Sequence, residues 1–173
     1  MKNKIVSKMI ALLLIVLATA CSKDDKVNGS VKENYLKVKI DGREKNFPDV
    51  RARWIEAGNF LEITASENGS EWVTITVMSE TTRVPAGQYS LDDGSAFTIL
   101  STHTTINNNA QLNHAATRGT AAREDAFSLK IDKIDNGSAE GSFSGVLVRV
   151  EGLTTLGTVT LTEGQFKAAI EPN

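Results

Sequence analysis

An all-β domain, an antiparallel sandwich of about eight or nine strands behind an N-terminal signal peptide, is the fold the sequence predicts. Three observations predict it. From Cys21 onward Thr, Val and Ile supply 36 of 153 residues, and these β-branched types suit a pleated, half-buried surface. Apolar and polar residues alternate in short runs with no 3.6-residue period. Turn dipeptides such as Asp41-Gly42, Asn68-Gly69 and Asn136-Gly137 separate those runs at the spacing of hairpins.

The chain opens with Lys2, Lys4 and Lys8, followed by the apolar run Met9 to Ala20, whose only polar member is Thr19. A stable membrane-spanning helix takes about 20 apolar residues, so this shorter run reads as a signal peptide removed by cleavage. Residues 1–20 are therefore assigned to the leader, 21–33 to a polar tether containing Gly and Ser, and 34–170 to the β domain. Without its leader the chain carries 16 basic against 21 acidic residues, which excludes the basic footprint of a nucleic-acid binder. Cys21 is the single cysteine, so no internal disulfide can form.

Within the domain, Tyr35 to Ile40 alternates, Asp41-Gly42 turns, and Arg43 to Phe47 returns, pairing Leu36 with Phe47. In the next hairpin Leu61, Ile63 and Ala65 mark one face of the outgoing strand, and Val73, Ile75 and Val77 one face of the return. A two-residue loop would put Ile63 opposite Thr74 and scatter the apolar set over both faces. A three-residue loop, Glu67-Asn68-Gly69 with Gly69 left-handed, instead sets Ile63 opposite Val73 and Leu61 opposite Ile75. Asp135-Asn136-Gly137 is read in the same way, with Leu129 facing Phe143 and Phe127 over Gly145. Gln88 to Leu91, Ala96 to Ser101 and Gly157 to Ala168 supply further strands. The segment Thr102 to Asp125 allows two readings, a hidden Ala/Thr-rich strand near Asn113 to Thr120 or a long surface loop.

Catalytic and metal chemistry find little support in the residues. His103 and His114, the only histidines, lie at a spacing that matches no common zinc pattern and read as a solvated loop pair. Phe143 occupies the central position of Gly141 to Gly145, so no nucleophile elbow is formed. Asp132, Asp135, Asn136 and Gly137 lack the alternate acidic spacing and closing glutamate of an EF-hand and read as a hairpin turn. No catalytic residue, cofactor or metal is expected. Of the ten aromatic residues, Trp54 falls on the core side by alternation with Arg51 and Arg53. Trp72 falls on the outer face with Glu62, Thr64 and Thr74, and these four form the candidate binding surface.

Around the cysteine, Ala18-Thr19-Ala20-Cys21 resembles a bacterial lipobox, with Leu17 one place before the usual leucine position. Its small residues suit a peptidase cleft, and the thiol would take a diacylglycerol and acyl (palmitate) chains. Each buried methylene contributes about 0.8 kcal/mol, so two or three chains anchor a protein where one holds only marginally. Lys23, Asp24 and Asp25 resemble the export signal of Bacteroidetes surface lipoproteins. Further along, Val38 to Arg43, Pro85 to Leu91, Leu129 to Asp135, Gly141 to Gly145 and Thr160 to Phe166 are together similar to a family of Bacteroidetes lipoproteins built around one β-rich domain of unknown function. The similarity runs from about Asn34 to Lys167 and implies no catalytic residues.

The resulting expectation is an outer-membrane lipoprotein, lipid-anchored through Cys21 and facing outside the cell. It would act without catalysis as a binding or structural module for an extracellular glycan or protein. A closed lipocalin-like barrel carrying a small apolar ligand is the alternative, since alternating strands serve both folds, and an enzyme of unrecognised type is the second.

Overall fold

The computed structural model describes residues 33–117 and 122–172. Cys21, Lys23, Asp24 and Asp25, on which the anchor and export expectations rest, lie outside the described residues. The fold is all-β. Its strands are β1 (Tyr35–Ile40), β2 (Arg43–Phe47), β3 (Asp49–Ile55), β4 (Phe60–Glu67), β5 (Glu71–Ser79), β6 (Gly87–Ser90), β7 (Phe97–Asn107), β8 (Ala110–Thr117), β9 (Ala126–Ile134), β10 (Ser138–Glu151) and β11 (Thr154–Glu171). These are eleven strands among the described residues, where eight or nine were expected. The excess is β3 and β8, the second of them the return strand of a hairpin inside the odd segment.

Local chemistry accounts for most turns. Asp41 and Gly42 both have positive φ (49° and 77°), the twist a two-residue hairpin needs, and Leu36 pairs with Phe47 as expected. The β4–β5 loop also has three residues, but they are Asn68-Gly69-Ser70 and not Glu67-Asn68-Gly69. Asn68 and Gly69 are both left-handed, and the Ser70 N–H donates to the Glu67 carbonyl at 3.1 Å. The pairing is therefore Ile63 with Ile75, Ala65 with Val73 and Leu61 with Val77, a correction of two residues. A slip of two leaves every side chain on its expected face, so the apolar pattern could not choose between these registers.

The β9–β10 hairpin turns over four residues, with Ile134 paired to Ala139. A bulge at Asp132 restores the expected pairs, Leu129 with Phe143 and Phe127 with Gly145. Asp135 closes that turn by accepting the Gly137 and Ser138 amides at 2.8 Å, and those backbone bonds hold its carboxyl below the ordinary value. Of the two readings of Thr102 to Asp125, the Ala/Thr-rich strand is present over the described residues as β8, Ala110–Thr117, within a longer hairpin, and residues 118–121 lie outside the described residues. β7 runs on to Asn107, Asn108 and Asn109 take φ of 48° and 62° as a tight turn, and β8 returns from Ala110. The Asn-Asn pair supplies the left-handed residues that Asn-Gly more often brings.

Sheet order is β2-β1-β11-β3-β4-β5-β7-β8-β10-β9-β6, and β10 pairs with β11 as well. The strands β11-β3-β4-β5-β7-β8-β10 thus close a ring. Its spine is the β10–β11 hairpin. On its free side β11 pairs first with β1 and then with β3, while β10 pairs first with β9 and then, at Val148, with Ala115 of β8. One layer holds β2, β1, β11, β10, β9 and β6, and the other holds β3, β4, β5, β7 and β8, joined at two corners. Both architectures considered from sequence are therefore partly present, as two layers whose edges meet. The sheet is mixed and not wholly antiparallel, because Ile170 and Glu171 run parallel to Ala52 and Arg53 at one corner.

Inward positions alternate as the strand period demands. Leu36, Phe47, Leu161 and Phe166 of the first layer, and Leu61, Ile63, Val73 and Ile75 of the second, are fully buried in one continuous core.

Candidate functional site

Trp72 sits on the outer face of β5, half-buried, across from Ser66 on β4 and Thr104 on β7. Thr74 pairs with Thr64, and Glu62 lies further along the same face, opposite Thr76. The four residues singled out from sequence thus share one surface. Glu62 is engaged there by Arg53 at 2.7 Å. Beside Trp72 a shallow depression of ≈ 280 Å³ is lined by Asp49, Arg51, Thr64 and Ser66. The Asp49 carboxylate accepts from Arg51 Nε and from Ser66 Oγ, both at 3.2 Å. An aromatic ring flanked by hydroxyls and a guanidinium–carboxylate pair can stack on an apolar ring face while hydrogen-bonding its rim. Trp54 is core, 5% exposed, with the Arg83 guanidinium 4.1 Å from its ring.

A second group of polar residues was not legible as a site. His103 and His114 are strand residues facing inward, paired directly across β7 and β8, and not a solvated loop pair. His103 is only 5% exposed. The Asn108-Asn109 turn makes this segment a hairpin and so gives each histidine a face. His103 Nε2 lies 2.8 Å from Glu71 Oε1, and Lys45 Nζ donates to Glu71 Oε2 at 2.7 Å and to Glu67 Oε2 at 3.3 Å.

Burial opposes ionisation of Glu71, but hydrogen bonds from Lys45 and His103, and their charges, outweigh it and hold the carboxyl below its ordinary value. Glu71 is therefore a carboxylate at neutral pH, so His103 Nε2 carries the proton it donates. The His114 imidazole, half-buried, is pushed below its ordinary pKa by burial first, then by the charges of His103 and Arg149, with Asp41 opposing. No sequence spacing pointed to this network, since Glu71 and His103 are 32 residues apart.

These shifts have a sign. Both His114 and Glu71 bind protons less readily folded than unfolded, so their stabilisation is complete above the ordinary values of 6.5 and 4.5 and is lost as pH falls through the folded ones. The urea midpoint is expected to fall from pH 7.5 to pH 5.5, with a further loss below about pH 4.5 as Glu71 protonates. His114→Gln should flatten the first limb alone. An unchanged first limb in that variant would assign the acid sensitivity to other groups.

Among the described residues no group of three or more His, Cys, Asp or Glu could hold a metal ion. Fold and site define a β-rich protein of two layers closed at their corners, with an aromatic patch outside and a histidine–carboxylate network at one end inside. Compared with family models, with curated proteins and with solved structures, the chain matches none.

Proposed function

We propose that the protein is an outer-membrane lipoprotein displayed on the cell surface, held by lipid on Cys21, whose β domain binds an extracellular glycan or protein without catalysis. The observation that carries this reading is the apolar run Met9 to Ala20 ending at the only cysteine of the chain, with Lys23, Asp24 and Asp25 directly behind it. The domain is compatible with display. Asn34, where the tether would join, donates to the Val50 carbonyl at 3.3 Å and accepts the Ala169 amide at 2.9 Å, near the end of β11. The β10–β11 tip at Gly152 and Leu153 belongs to the other end of that 18-residue strand. The Trp72 surface, on the outside of the second layer, is the proposed contact face.

Fractionation and labelling test the reading together. Cys21→Ser is expected to move the protein out of the membrane fraction. Replacing Lys23, Asp24 and Asp25 by alanine should remove antibody labelling of intact cells while total protein stays constant. An unmodified Cys21 by mass spectrometry with unchanged membrane fractionation would reject the anchor, and wild-type protein protected from external protease would reject display.

A further inference from the structure

Continuing the antiparallel register of Val148 with Ala115 by one residue sets Arg149 of β10 across from His114 of β8, both pointing inward. His114 is paired to His103 on its other side, with ring centroids 6.4 Å apart, and Arg149 is paired to Gly157 of β11. One row across four strands therefore reads His103, His114, Arg149, Gly157. Ser101 lies one inward position from His103, fully buried.

This row holds a concentration of unmet hydrogen-bonding capacity. Ser101 Oγ, His103 Nδ1 and Arg149 Nε are buried without a partner, three of the five such side-chain atoms among the described residues. Buried polar groups are nearly always paired, and each orphan forfeits the solvation it had in water. Arg149 Nε is a donor under every condition, and a hydroxyl can donate as well. Gly157 supplies room. A Cβ built on it would meet only His114 Nε2, at 3.5 Å, and Gly157, His114 and Arg149 are all partly open to solvent.

We propose that this corner of the ring binds a small carboxylate, gripped by Arg149 and His114 over Gly157, with His103 behind them. The charge balance selects a monoanion over phosphate or a metal cation. Arg149 is the one permanent cation of the row, and it repels a metal, whereas the Glu71 carboxylate behind His103 and the Asp41 carboxylate acting on His114 oppose a second negative charge. A planar guanidinium also matches the two oxygens of a carboxylate. The site lies inside the ring, apart from the Trp72 face, and does not depend on the anchoring or display proposed above.

Because His103 and His114 are the only histidines, their ring resonances report the site without interference. The full chain in detergent is titrated with sodium acetate at constant ionic strength, set by chloride, and the two imidazole signals are followed by NMR. Saturable shifts of both signals with one apparent Kd are expected, lost in Arg149→Met and weakened at least tenfold in Gly157→Val, which fills the space while leaving the histidines and Arg149 in place. Linear shifts equal to those in chloride, saturation by inorganic phosphate or zinc in preference to acetate, or unaltered acetate affinity in Gly157→Val would overturn the proposal. If Arg149→Met fails to fold by circular dichroism, Gly157→Val decides. Loss of membrane anchoring in Cys21→Ser would leave this titration unchanged, so the two proposals fail separately.

Discussion

Gly141→Ala is expected to destabilise the domain by about 3 kcal/mol or more, at the upper end of the range for overpacking, because the obstruction is backbone. Gly141 sits in β10 between Ile131 of β9 and Phe166 of β11. A Cβ there would overlap the Lys130 carbonyl oxygen and come within 2.9 Å of the Phe166 ring. Neither neighbour can swing aside, since one belongs to the adjoining strand and the other is fully buried in the core. For a domain of this size the midpoint of thermal unfolding should fall by roughly 6–12 °C. Gly137→Ala is the control. Its Cβ meets only Asp135 Oδ1, at 3.6 Å, and the amide that Asp135 accepts is retained, so the change should stay within about 0.5 kcal/mol. Equal midpoints for the two variants would show that β9 and β10 can separate at no cost.

Truncating two neighbours on β5 should give opposite results. Ile75 is fully buried, pairs with Ile63 and Ser101, and faces the other layer. Ile75→Ala leaves a cavity in close-packed surroundings and is expected to lose about 2–5 kcal/mol. Trp72, three residues earlier, is the larger side chain but stands half-buried on the outer face beside Ser66 and Thr104. Trp72→Ala should be mild, well under the loss in Ile75→Ala, since no cavity opens in the core. A binding role adds a second readout, loss of partner affinity with the fold retained. Urea unfolding of both variants checks the first claim, and comparable losses would mean that Trp72 is an integral part of the packing.

How far residues alone reached is visible strand by strand. The faces of β1, β2, β4, β5, β9 and β10 were legible because side-chain direction has a period of two, and any residue's face follows from its neighbours. Trp54 inside and Trp72 outside follow from that parity. Turns were legible where Gly occupied the left-handed position, as at Asp41-Gly42, and illegible at Asn108-Asn109, where the same backbone was built from residues less diagnostic of it. The polar network suffered for that omission, since a histidine assigned to a loop carries no face at all.

The sequence by itself determined the all-β class, the inward and outward sets of most strands and the Asp41-Gly42 turn, because each depends on residues a few positions apart. Only the tertiary structure decided the register of β4 on β5, since a two-residue slip preserves every face. It also decided the closure of the ring at Val148 with Ala115, and the parallel corner where Ile170 meets Ala52. The burial of His103 against Glu71 and the meeting of His114 with Arg149 belong to the same category. Each depends on strands distant in the chain arriving side by side, a choice made by the packing of one shared core and recorded in no local pattern.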